Sequence, residues 1–219
     1  MRFIVCSYFT KDKVYPKHAR NLIESLEKFG ITHDVVCIDS LGSWQKNTHY
    51  KPTFALEMLE KHYPLSIVVV DADAIFCRYP EYFNKLDNCP EVNIAVHVLD
   101  HSKYKRNHLV PELLSGTIFL KNTAKTKQII DSWIQECKKD PKIWDQRALD
   151  VVLKKCKYHL LPEQYCTIFD YMSSVENPVI KHFQASRENR RGVTTKRKRN
   201  VSTPRRVIKN GTVRIRRIY

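Results

Sequence analysis

The chain has 219 residues, 42% of them apolar, and a formal net charge of +15. That size suits one domain with a substantial core and excludes two independent catalytic domains. No apolar run is long enough to span a bilayer, and the N-terminal MRFIVCSYF lacks a signal peptide's long apolar region, so a cytoplasmic protein is expected, in the host cytoplasm for a viral chain. Seven scattered cysteines without a C-x-x-C pair indicate neither a disulfide framework nor a zinc knuckle.

In chain order, residues 2–9 read as a first strand. Pro16–Phe29 reads as a helix with Ala19, Leu22, Ile23, Leu26 and Phe29 at helical spacing, and Gly30 as its stop. Asp34–Asp39 is a second strand, Trp44–Tyr50 lies in a polar loop, and Lys51–His62 is a helix whose Pro52 sits in the tolerant first turn. SIVVVDADAIF (66–76) is an apolar strand interrupted by Asp71 and Asp73. Further strands are expected at 91–100 and 115–121, and helices at 123–139 and 144–155. Alternating strands and helices predict an α/β fold with a single, mainly parallel sheet.

The interior of a buried strand has no use for charge. Acids at its carboxyl end belong at the sheet edge, where open α/β sheets bind ligands. Residues i and i+2 of a strand point the same way, so Asp71 and Asp73 can both face one divalent cation, which in turn would neutralise a diphosphate. Asp-x-Asp is frequent by chance, and a strand-end turn with solvated carboxylates is the bland alternative.

Four landmarks in order give the pair its context: VVVDADAIF (68–76), LLSGTIFLKNT (113–123), WDQRALD (144–150) and VIKHFQAS (179–186). With them the chain resembles nucleotide-diphospho-sugar transferases of the GT-A fold. The likeness is strongest to the retaining branch with glycogenin-like and galactosyltransferase-like enzymes and to related phage-type Asp-x-Asp transferases. The resemblance implies a single GT-A (Rossmann-like) domain over 1–186 and a glycosyltransferase using a nucleoside-diphosphate sugar, UDP-sugar favoured, with Mn²⁺ or Mg²⁺ and with retention of configuration. Asp73 and His182 would ligate the metal, and Asp71 the metal or the ribose. Ser7, Tyr8, Phe9 and Thr10 would meet the nucleotide, with Ala72 beside it. Lys51 and Arg187 would meet the phosphates, and Gly116, with Ser115 or Thr117, the donor sugar. Asp145 and Gln146 would line the pocket at the anomeric carbon. Asp100 is the alternative catalytic base, near His97 and His101 on the acceptor side. For several of these a structural role competes: Tyr8 as a core aromatic, Gly116 as a bulge glycine, Asp145 as a helix N-cap, His182 as a hydrogen-bonded strand-end histidine.

Residues 187–219 lie outside the resemblance and carry the charge. They hold 13 Lys+Arg against Glu188 alone, a net +12, leaving 25 Lys+Arg against 22 Asp+Glu for residues 1–186. Asn210-Gly211 between β-prone runs predicts a hairpin in this basic extension. Lys196, Arg197, Lys198, Arg199, Arg205, Arg206, Arg214, Arg216 and Arg217 form the expected polyanion-binding surface, with DNA the favoured partner and a hydroxymethylated base in phage-type DNA the favoured acceptor. The alternatives are a glycan, lipid-linked or protein acceptor with the tail on an anionic membrane, and a non-catalytic basic nucleic-acid-binding protein. A nucleotidyltransferase also fits the acid pair, but its usual Gly-rich phosphate loop is missing.

Overall fold

The structure is a computed structural model and describes residues 3–104 and 110–188. The chain divides into two units, Met1–Ala185 and Ser186–Tyr219. The expected hairpin at Asn210-Gly211 and the basic residues Lys196–Arg199, Arg205, Arg206, Arg214, Arg216 and Arg217 lie outside the described residues.

The first unit runs β1 (Phe3–Thr10), α1 (Tyr15–Lys28), β2 (His33–Ile38), α2 (Trp44–Lys61), β3 (Ser66–Val70), β4 (Ala74–Phe76), α3 (Glu81–Asn88), β5 (Ile94–Leu99), β6 (Glu112–Leu120), α4 (Ala124–Lys139), α5 (Asp145–Leu153), β7 (His159–Leu160), β8 (Thr167–Ile168) and β9 (Ile180–His182). Six strands form the central sheet in the order β2-β1-β3-β6-β5-β7. β1 pairs in parallel with β2 and β3, and β5 with β7, while β6 runs antiparallel to both β3 and β5.

The apolar runs of β1 and β3 follow from burial on both faces. Ile4, Cys6, Ile67 and Val69 pack under α2, α4 and α5, against Phe54, Leu59, Trp133 and Leu149. Phe3, Val5, Val68 and Val70 face the opposite way, onto Leu22 and Leu26 of α1 and Phe83 and Leu86 of α3. All five residues of β3 are buried, so the strand's first charge falls where the chain leaves the sheet.

Three expectations change. Asp71, Ala72 and Asp73 are not strand residues: they form a turn between β3 and β4, closed by the Ala74 amide on the Asp71 carbonyl at 2.9 Å. The apolar residues after the turn leave the central sheet and pair with β9 in a second, three-stranded sheet of order β4-β9-β8. Helix α2 starts at Trp44 rather than Lys51, because Ser43 caps it by accepting from the Lys46 amide at 3.1 Å. Pro52 is therefore inside the helix, where its missing N–H is offset by the burial of Phe54, Ala55, Met58 and Leu59 on the sheet. No helix among the described residues is long and apolar enough to cross a membrane.

Candidate active site

The site is assembled at the carboxyl edge of β1 and β3, where β6 enters from the other direction. The Asp71 amide donates to the Gly116 carbonyl at 2.9 Å, and Thr117 is paired with Val70. Between Val96 and His97 of β5 the partner on β6 jumps from Ile118 to Leu114, so residues 115–117 leave the β5 ladder. Such an irregularity re-aims side chains, and here it turns Ser115 and Thr117 into the site.

Asp71, Asp73 and His182 each offer one ligand atom, and the three atoms lie within 4.8 Å of one another. A divalent ion about 2.0–2.6 Å from each donor spans such a set. The His182 ring is fixed from behind. Its Nε2 meets Thr117 Oγ1 at 2.8 Å, and its Nδ1 stands 3.6 Å from Asp73 Oδ1, buried and without a hydrogen-bond partner. A buried ring nitrogen facing two carboxylates, with its other nitrogen held, is the arrangement of a metal-ligating histidine. Burial alone would disfavour the imidazolium, yet Cys166 and Asp73 beside it push the His182 pKa up to about 10, so a metal ion binding at Nδ1 would displace a proton. Asp73 is held in turn by the Ala185 amide, which donates to its Oδ2 at 2.7 Å. Burial works against the Asp73 carboxylate, but His182 and the Ala185 amide outweigh it and hold the pKa low.

Gly116 is the floor under this histidine. A Cβ there would come within 3.1 Å of His182 Cε1 and 3.2 Å of Nδ1, so the absent side chain is the room the ring occupies. Thr117, expected at the donor sugar, is fully buried and engaged with His182 instead.

Lys51 projects from α2 into the gap between triad and α5. Its ammonium lies 2.8 Å from Asp71 Oδ1, 3.1 Å from Asp145 Oδ2, 3.2 Å from the Ser115 carbonyl and 3.3 Å from Ser115 Oγ. Burial would lower its pKa, but Asp145 and Asp71 raise it well above the ordinary lysine value and keep it charged. The sequence suggested a phosphate ligand; the structure presents a buried cation that binds two carboxylates together. Asp145 is the first residue of α5 and does not cap it; Trp144 takes the cap position. Its carboxylate points inward to Lys51 and to Ser115 Oγ at 3.1 Å, because Trp133 Nε1 holds its carbonyl at 2.8 Å. Gln146 accepts from the Ser115 amide at 3.1 Å and donates to Glu112 Oε1 at 2.7 Å.

The remaining expected residues are less central. Ser7 is fully buried with its hydroxyl unpartnered. Tyr8 is half-buried against Tyr50 and Phe54, its hydroxyl donating to the Asn47 carbonyl at 2.7 Å, as a core aromatic would be. Phe9 is half-buried, Ala72 is buried in the turn, and Thr10 donates to Asp12 at 2.9 Å. Asp100 is exposed and bound to the Ser102 amide and hydroxyl at 3.0 and 2.6 Å, while His97 is held by the Leu161 carbonyl at 2.9 Å. Arg187 belongs to the second unit. The sequence offered no reason to select Glu112 beyond one acid opening an otherwise apolar run, ELLSGTIFL.

A sheet of this order, with an Asp-Asp-His triad at the carboxyl end of β3, is the frame of a GT-A-like glycosyltransferase. The chain belongs to the nucleotide-diphospho-sugar transferase family, whose pattern matches residues 33–200. No curated protein sequence matches it significantly. Among solved structures, it is similar to a glycosyltransferase involved in the glycosylation of the major capsid of PBCV-1, with a TM-score of 0.64 and 12% identity, covering 88% of this chain and 98% of that one. Mouse xyloside xylosyltransferase 1 is similar with a TM-score of 0.55 and 13% identity, covering 84% and 98%. The apo-form glycosyltransferase GlyE of Streptococcus pneumoniae TIGR4 gives 0.56 and 16%, covering 84% of this chain but 54% of GlyE.

Proposed function

We propose that the protein is a metal-dependent, retaining glycosyltransferase that moves a sugar from a nucleoside diphosphate, UDP favoured, to an acceptor hydroxyl. The observation that carries this reading is the Asp71–Asp73–His182 triad with its orphaned Nδ1. These residues would hold Mn²⁺ in preference to Mg²⁺, since imidazole beside carboxylates suits the softer ion. Bound there, the ion would supply Lewis-acid neutralisation of the charge on a departing diphosphate.

The chain's own groups account for the rest. Lys51 fixes Asp71 and Asp145 before the donor arrives, so the charges need not reorganise during transfer. Asp145 and Gln146 lie across Lys51 from the triad, which suits the sugar of a donor whose diphosphate would meet the metal. A carboxylate there favours positive charge at the anomeric carbon, and the Gln146 Nε2 hydrogen not given to Glu112 suits a sugar hydroxyl. Retention is carried by the likeness of WDQRALD to the retaining branch. The nucleotide is assigned to Ser7–Thr10 by the strand-end rule.

The test is release of nucleoside diphosphate from a panel of nucleotide sugars with Mn²⁺. Wild-type release that disappears with EDTA and in Asp73→Ala, and a product of unchanged anomeric configuration by proton NMR, is the expected result. Release that persists in Asp73→Ala at the wild-type rate would overturn the metal site. A second reading, a hydroxymethylated DNA acceptor, is favoured only by the +12 charge of residues 187–219, and unchanged DNA affinity at low salt after their deletion would refute the role of that segment.

A further inference from the structure

The rim of the site holds groups that the transfer chemistry leaves unused. Trp44 opens α2 and Trp144 precedes α5; their rings meet edge to face, centroids 6.0 Å apart at 87°. The fold builds this meeting. His49 Nε2 bonds the Ile143 carbonyl at 2.6 Å, tying the second turn of α2 to the loop ahead of α5. Trp144 remains 44% exposed, an apolar face next in the chain to the buried Asp145.

Glu112 opens β6, its side chain 46% exposed, and meets the first turn of α5 through Gln146. It accepts from Gln146 at 2.7 Å and lies 3.4 Å from His101 Nε2, and His101 Nδ1 is held by the Tyr171 hydroxyl at 2.8 Å. The carboxylate is therefore braced at two points and open to solvent. Three consecutive residues, Trp144, Asp145 and Gln146, thus carry an aromatic face, the buried carboxylate of the site, and an amide joined to an exposed carboxylate.

We propose that the Trp44–Trp144 pair and Glu112 form an acceptor subsite for a neutral sugar ring, making the acceptor a carbohydrate hydroxyl. The inference rests on the glycosyltransferase reading above. A pyranose has a C–H face that packs on an indole and hydroxyls that donate charge-assisted hydrogen bonds to a carboxylate. A nucleotide within a polyanion would bring phosphates toward Glu112 and be repelled. In the transfer, the acceptor oxygen bonds to the anomeric carbon, and the bond to the diphosphate breaks with its electron pair on the diphosphate oxygen. The hydroxyl proton passes to that oxygen.

The experiment uses the full-length protein with Mn²⁺ and a nucleotide-sugar panel. It offers, separately, p-nitrophenyl pyranosides of glucose, galactose, mannose and xylose, and duplex DNA containing hydroxymethylcytosine, with products read by mass. Transfer to at least one pyranoside and none to DNA is expected, and the pyranoside should quench tryptophan fluorescence, Trp133 being buried. Trp144→Ala and Glu112→Gln should each raise the pyranoside KM by ~10-fold or more with kcat within ~3-fold, and Trp144→Phe, which keeps a ring, should recover most of the loss. Transfer to DNA and to no pyranoside, or both variants at wild-type KM, would overturn the subsite. Nucleoside diphosphate release without transfer to any pyranoside would overturn the subsite and leave the transferase reading standing. No release with any donor would overturn the transferase reading itself.

Discussion

Gly116→Ala tests the seat of His182, the proposed metal ligand. The new methyl would lie 3.1 Å from His182 Cε1 and 3.2 Å from Nδ1, whereas such atoms rest no closer than about 3.5 Å, so the ring must retreat by about 0.4 Å. It has nowhere easy to go: the ring is 3% exposed, Thr117 holds Nε2, and β9 is paired on both sides. Overpacking of this kind costs about 1–3 kcal/mol, offset by about 0.4–1 kcal/mol because alanine restricts the unfolded chain more than glycine does. The net loss of roughly 1–2 kcal/mol lowers the melting temperature by about 2–8 °C in a chain of this size. A displaced ligand also weakens Mn²⁺ binding by about 10–100-fold. Calorimetric titration with MnCl₂ and a thermal melt read both effects. A variant that binds Mn²⁺ with wild-type affinity and melts at the wild-type temperature would refute the claim that Gly116 exists to admit His182.

Lys51→Met leaves the buried Asp145 facing Ser115 without its cation and should cost about 3 kcal/mol or more in urea unfolding, with part of the loss recovered by adding Asp145→Asn. A loss below about 1 kcal/mol would remove Lys51 as the centre of the network. Asp34 gives a pH signature away from the site. Burial opposes its charged form, but hydrogen bonds from Lys61 and His62, both at 2.7 Å, prevail and hold its pKa below the ordinary 3.8. Its contribution is therefore complete above the ordinary carboxylate value and is lost as pH falls through the lower folded value. Asp34→Asn should be less stable than wild type at pH 7, with the gap closing in acid; a gap that stays constant from pH 7 to acid would contradict the assignment.

Periodicity was a good guide wherever an element is buried on a regular face. The strands at Phe3–Thr10 and Ser66–Val70 and the helices at Tyr15–Lys28 and Ala124–Lys139 were legible because their apolar residues repeat with the geometry of the element. It failed at α2, where a single capping serine extends the helix by two turns through polar residues, and at the short strands β7, β8 and β9, which are too brief to carry a period. The acid pair was found for a sound reason and a wrong local geometry: burial of β3 does expel charge to the sheet edge, but a turn rather than a strand brings Asp71 and Asp73 to one place.

By itself, then, the sequence determined that a buried strand ends in two acids ahead of an ordered set of glycine, Asp-Gln and histidine motifs, and hence the α/β class and the family. These features are local, because burial and period act along the chain. Only tertiary structure decided what the residues do to one another: Gly116 as the space for His182, Thr117 as its support, Lys51 as the bond between Asp71 and Asp145, and Glu112 beside Gln146. Each of these joins residues far apart in the chain, and contact over that separation is fixed by packing and register, which no local pattern encodes.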